Sequence, residues 1–283
     1  MTAAATVARW GSASTRRQLL AGGSTGRQIA AAVRGGGIIR VRQARYVLPS
    51  TRPEIVAAVR LGARLAGPSS AHTYGLWAGF DKRIHVSVEP HATRLARVPR
   101  RVVLHWDAPP LRVDAECWRL DIPTTLRQVV AWCDRETALA CLESALGQLS
   151  VADLLAVFEG ESAAARLLAS RARPGCGSGA ESLVSQRLAG RGIRVDRQVR
   201  IAGVGDVDMV VRGTRLVVEV DGRTYHQDPT AFENDRRRDA ELLRRGYVVV
   251  RLSFEAVTTR WEWCESMVLG ALATRAWNPV LPA

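Results

Sequence analysis

Residues 206 to 221 read Asp-Val-Asp-Met-Val-Val-Arg-Gly-Thr-Arg-Leu-Val-Val-Glu-Val-Asp. Two valine-rich runs flank Gly213-Thr214, a two-residue turn signal, so the segment is predicted to be a β-hairpin. Its period of two puts Asp206, Asp208, Glu219 and Asp221 on one face, with Asp208 opposite Glu219 and Asp206 opposite Asp221. Val207, Met209, Val211, Leu216, Val218 and Val220 take the other face. Opposed like charges cost roughly a few tenths to 1 kcal/mol each. Water, arginines or a divalent cation must offset that cost. Oxygen-only donors favour Mg²⁺ or Mn²⁺ over zinc. Val210 and Val217 share the acidic face, which argues against a merely solvated surface.

Upstream, Ser178-Gly-Ala-Glu181 opens a predicted helix to Leu188, and Glu181 can also serve a capping box there. The spacing Asp208-x10-Glu219-x-Asp221 is that of the PD-(D/E)XK nuclease core. The longer stretch Leu216-Val-Val-Glu-Val-Asp-Gly-Arg-Thr-Tyr-His226, followed by Asp235 to Arg251, resembles a bacterial family related to the very-short-patch repair endonucleases. The resemblance covers about a hundred residues. It implies a restriction-endonuclease-like αβ domain with a mixed central sheet. It also implies Glu181 on the first core helix, and Asp208, Glu219 and the Val220 carbonyl as holders of Mg²⁺ or Mn²⁺. In one respect the chain departs from the pattern: Asp221 stands where many members carry lysine, and this part of the chain has no lysine. The general base is then open between His226 and Asp221, and Asp206 is expected to be structural. Arg237 and Arg238 lie in the run Arg236 to Arg238 on the next predicted helix and are expected to contact phosphate.

The head of the chain is basic: residues 1–50 hold eight arginines and no acid. Arg16 to Ala21 and Gly26 to Val33 read as short helices broken at Gly22-Gly23, with Ser24 or Thr25 as a cap. Ile38 to Arg42 and Tyr46 to Leu48 read as a hairpin. This is the layout of a winged helix-turn-helix. Arg27 and Arg34 on the second helix, and Arg40, Arg42 and Arg45 on the hairpin, are the expected phosphate contacts. The segment resembles the N-terminal domain of AbiEi-type antitoxins, with Tyr46-Val47-Leu48-Pro49 as the familiar feature.

Residues 51–170 read as a mixed α/β middle, antitoxin-like by loose continuation of that resemblance. Its histidines 72, 85, 91 and 105 show no H-x3-H metal spacing and carry no expected chemistry. Residues 171–179, Arg-Ala-Arg-Pro-Gly-Cys-Gly-Ser-Gly, read as a linker to a nuclease-like domain at 180–283. The fold class expected is α+β multidomain.

Composition narrows the function classes. Five cysteines form no CxxC pair, which argues against a disulfide framework or a zinc site and for a reducing cytoplasm. No apolar run reaches the roughly 18 residues of a membrane span, so no membrane role is expected. Arg16-Arg17 suggests a twin-arginine export signal, but Gly22, Gly23, Ser24 and Arg27 leave no apolar stretch behind it. A net charge of +13 points to a polyanionic partner. The sequence thus favours a metal-dependent endonuclease acting on DNA, duplex first, in phage defence or repair. Two rivals stay open at this level: an antitoxin-like DNA-binding regulator with an inactive nuclease fold, and an RNA or single-strand nuclease. A homodimer or a toxin partner is equally open.

Overall fold

The structure, a computed structural model, describes residues 2–93, 95–112, 114–221 and 229–274, with only the backbone for 229–235. Its elements fall into two units, residues 1–134 with 157–165, and residues 135–156 with 166–283.

The first unit begins with α1 (Ala3–Arg9), β1 (Ala13–Thr15), α2 (Arg16–Ala21), α3 (Gly26–Arg34), β2 (Ile39–Arg42) and β3 (Arg45–Val47). The expected helix, turn, helix and hairpin are all present. Thr15 and Thr25 cap α2 and α3 through reciprocal bonds with Gln18 and Gln28, so each Thr-x-x-Gln spacing fixes a helix start. α1 and β1 were not expected from the pattern. β1 pairs with β3 and makes the sheet three-stranded, in the order β1-β3-β2. Val7, Leu19, Ile29, Ile38 and Tyr46 form the core beneath it.

Then come α4 (Pro53–Leu61), β4 (Arg64–Leu65), α5 (Gly67–Thr73), β5 (Ile84–Ser87), β6 (Val102–His105) and α6 (Ile122–Trp132). α4 ends at Leu61 because Gly62 takes a left-handed φ of 77°. The Ser69 hydroxyl accepts from the His85 backbone N–H at 2.8 Å. β5 and β6 pair in parallel, which brings together histidines that sequence spacing keeps apart. His85 Nδ1 lies 3.2 Å from His105 Nε2, and His85 Nε2 lies 3.0 Å from Asp81 Oδ2. His105 stacks on Trp132 with ring centroids 3.6 Å apart. Both histidines thus have side-chain neighbours within the first unit.

The second unit contains α7 (Arg135–Ala145), most of α8 (Val151–Val157), the end of α9 (Ala163–Ala169), α10 (Gly179–Gly190), β7 (Val195–Ile201), β8 (Gly205–Val211), β9 (Leu216–Asp221), α11 (Pro229–Arg244), β10 (Val248–Ser253), α12 (Phe254–Thr259) and α13 (Trp261–Thr274). The sheet order is β10-β9-β8-β7, antiparallel from β7 to β9 and parallel between β9 and β10. Met209 pairs with Val218 and Val210 with Val217, the register expected from the hairpin pattern. The turn itself is longer than the expected Gly-Thr pair. Thr214 N–H bonds back to the Val211 carbonyl at 3.1 Å, and the Thr214 hydroxyl accepts from Leu216 N–H at 3.0 Å. The added residues lie symmetrically about the same centre, so register is unchanged. Leu242 of α11 packs with Ile201, Val207 and Val217. Residues 171–179 are fastened to this unit: Arg173 N–H and the Cys176 thiol both bond to Glu143 of α7.

Candidate active site

Three elements carry the acids. α10 supplies Glu181, β8 supplies Asp208, β9 supplies Glu219 and, at its end, Asp221. Ser178 caps α10 by accepting from Glu181 N–H at 3.2 Å. The Glu181 carboxylate accepts from Gly177 N–H at 2.7 Å and from Gln198 Nε2 at 3.1 Å. Asp208 Oδ2 accepts from Val220 N–H at 2.8 Å, which locks the aspartate against β9. Its Oδ1 lies 3.5 Å from the same Gln198 amide.

Glu219 is 5% exposed and carries two arginines. Arg238 Nη2 is 2.7 Å from Oε1, an ion pair without hydrogen-bond geometry, and Arg251 Nε donates to Oε2 at 3.2 Å. Arg251 stands beside Glu219 because β10 pairs with β9 in register there. It is held from the other side by Asp239 of α11.

Burial dominates the electrostatics. Burial raises the Glu181 carboxyl above its ordinary value, with the Asp208 charge adding to the rise against the bonds from Gly177, Ser178 and Gln198. Burial also raises Glu219, and the pull of Arg238 and Arg251 does not reverse it. Asp208 and Asp221 contribute smaller upward pushes on Glu219.

The expected residues do not all land together. Glu181, Asp208 and Glu219 share one neighbourhood, with Asp221 exposed at its edge. Asp206 stands apart and pairs with Arg200 at 3.2 Å. His226 lies outside the described residues. Arg238 points at Glu219, whereas Arg237 is exposed. In the head, Arg27, Arg34 and Arg40 are exposed and Arg45 is half-buried. Arg42 Nη1 donates to the Leu61 carbonyl at 2.7 Å, which closes the end of α4.

Gln198 was not anticipated. It sits opposite Asp208, where the β7–β8 pairing skips one pair, and it holds a left-handed φ of 47°. That conformation costs a non-glycine residue about 1 kcal/mol or more. Its side chain joins Glu181 to Asp208. The flanking alternation Val195, Arg197, Val199, Ile201 marks β7 as a strand, but no local signal marks the kink.

Among the described residues, no group of three or more His, Cys, Asp and Glu side chains is placed to hold a metal ion. The donors on offer are two carboxylates on neighbouring strands, Asp208 and Glu219, with the Val220 carbonyl next to Glu219 in sequence. This hard oxygen set fits Mg²⁺ or Mn²⁺ in chemistry. No described helix is long and apolar enough to cross a membrane.

Comparison with known proteins bears on the same stretch. No curated protein sequence matches the chain. Among solved structures, one similar to the chain is the crystal structure of the RV2827C protein from Mycobacterium tuberculosis. It is 18% identical and the alignment covers 64% of this chain and 78% of that one, with a TM-score of 0.28, too low to speak to fold or function. The family model REase_MTES_1575 matches residues 181–269. That match falls on the segment with Glu181, Asp208 and Glu219, and it supports a restriction-endonuclease-like domain there and, with it, a nuclease.

Proposed function

We propose that the chain is a metal-dependent endonuclease that hydrolyses phosphodiester bonds of duplex DNA. The observation that carries this reading is the hairpin register, which sets Asp208 beside Glu219 while α10 brings Glu181 alongside. Asp208, Glu219 and the Val220 carbonyl would hold Mg²⁺ or Mn²⁺. Such an ion, when bound, supplies an acidified water and stabilises charge developing on the phosphate. The chain's own residues do the rest. Val220 N–H and Gln198 fix Asp208. Arg238 and Arg251 orient Glu219. Asp221 or His226 accepts the proton of the attacking water, a role worth roughly 10²–10⁴-fold. The arginine-rich head, with the winged-helix layout, adds sequence-independent DNA affinity through Arg27, Arg34, Arg40 and Arg45.

The test is incubation of the purified full chain with labelled duplex, mismatched and single-stranded DNA, and with RNA, with and without Mg²⁺ or Mn²⁺. Cleavage of duplex DNA that requires the cation and vanishes in Asp208→Asn is expected. DNA binding that needs no cation, without cleavage by any preparation, would favour the regulator, and cleavage of RNA alone would favour the other nuclease reading.

Gln198 supplies a second expectation. Gln198→Ala should lower cleavage by about 10–100-fold, as loss of a residue that orients a metal-holding carboxylate does. It should also push the Glu181 carboxyl further up, because the lost amide bond favours the ionised form. Carboxyl titration by NMR reads the second effect independently of turnover. An unmoved Glu181 titration would deny the bridging role.

A further inference from the structure

Away from the acids, the second unit carries a groove of about 870 Å³. Five arginines line it, Arg171, Arg173, Arg194, Arg197 and Arg212, and Asp196 is the acid among the lining residues. Five like charges around one cavity repel, so the groove is built for an anion unless the arginines are already spent. Two are largely spent. Arg197 donates to Glu143 and Ser185 at 2.9 Å each and forms the floor. Arg212 pairs with Asp196 at 2.8 Å through Nε only, which leaves its terminal nitrogens outward. Arg173 gives one nitrogen to the Ser170 carbonyl. The Arg171 and Arg194 side chains are exposed and, among the described residues, make no hydrogen bond or ion pair.

The groove also adjoins the candidate active site. Ser185 and Glu181 stand one turn apart on α10, and Arg197 and Gln198 are consecutive on β7. From Val195 to Gln198 the strand advances about 10 Å, the axial span of about three nucleotides of one DNA strand.

We infer that this groove binds the sugar–phosphate backbone of the DNA strand a few nucleotides from the bond to be cut, with Arg171 and Arg194 as its main phosphate contacts. The inference rests on the nuclease reading for the identity of the polymer. The fixed guanidinium of Arg197 sets the depth, and the outward arginines reach the phosphate oxygens in the bidentate manner that guanidinium geometry allows.

The experiment compares the full chain with Arg171→Ala/Arg194→Ala and with Arg100→Ala/Arg101→Ala. The second pair is an equal loss of charge at exposed arginines outside the groove. Binding of a fluorescent duplex is measured by anisotropy from 50 to 300 mM salt in EDTA, so that no cleavage is needed. The groove variant should bind about tenfold more weakly near physiological salt, and its log–log salt slope should fall by about 1.8, two phosphate contacts. The control pair should keep the parent slope. An unchanged slope in the groove variant, or equal losses in both pairs, overturns the inference. Cleavage is scored separately. A chain that cuts DNA but shows no groove dependence keeps the nuclease reading and loses the groove, and one that binds through the groove without cutting does the reverse.

Discussion

Glu219→Gln is expected to abolish cleavage while leaving the metal-free protein as stable as the parent at neutral pH, or more stable. The rate should fall by about 10³-fold or more, because several kcal/mol of transition-state stabilisation pass through this carboxylate. The stability claim follows from burial. Glu219 is 5% exposed, and its surroundings favour the neutral carboxyl despite Arg238 and Arg251. A carboxyl whose folded value is raised takes up its proton earlier in the folded state than in the unfolded chain. Its ionisation therefore costs stability as pH rises through the folded value. Glutamine never bears that cost. The melting difference between Glu219→Gln and parent should thus be largest near neutral pH and should shrink as pH falls toward the ordinary carboxylate range. Asp208→Asn should keep the 2.8 Å bond from Val220 N–H through its amide oxygen. It should also lower both Glu181 and Glu219, since the Asp208 charge raises each. Melting curves from pH 4.5 to 8 with carboxyl NMR titrations check both statements. A Glu219→Gln protein that melts well below the parent yet still cuts DNA would show that the residue is a structural ion-pair partner and no more.

The second large effect is on folding. Glu143 is almost fully buried, and it accepts from Arg197 at 2.9 Å, Ser182 at 2.5 Å and Arg173 N–H at 3.2 Å. Glu143→Ala leaves the Arg197 guanidinium with only the Ser185 hydroxyl and the Arg173 carbonyl, without a counter-ion, and should cost about 3–5 kcal/mol, the usual penalty for removing one partner of a buried pair. Glu143→Gln keeps the acceptor oxygen and should cost less. Cys176 reports the change locally. Burial first, and the Glu143 charge second, push its thiol up. Removing Glu143 should therefore speed thiol alkylation at pH 8, whereas an unchanged alkylation rate and an unchanged melt would deny this contact its role.

The hairpin was legible because period-two alternation and a central turn signal suffice to pair Asp208 with Glu219. The helix start at Thr25 was legible for a similar reason: capping is local. What escaped depends on distant strands. The left-handed Gln198 makes sense only opposite Asp208. Arg251 reads as one more strand arginine until parallel pairing sets it against Glu219. The meeting of His85 and His105 likewise requires the parallel register of β5 and β6. β1 was hidden by its length, three residues that complete a sheet only through β3. The four-residue turn around Gly213 differs from the two-residue expectation without moving any pair, because sequence reports the centre of a hairpin better than the shape of its tip.

The parallel pairing of β9 with β10 has a kinetic side. β8 and β9 close over a short turn, an event on the scale of about 1–10 μs. β10 can join them only after α11 has been made and has crossed the sheet, and contacts of that separation form slowly. Because synthesis runs from the amino end, the acids of β8 and β9 emerge from the ribosome before Arg238 and Arg251. A growing chain thus carries the carboxylates without their counter-ions. The arrangement that orients Glu219 is therefore reached only after β10 has been translated and has paired with β9.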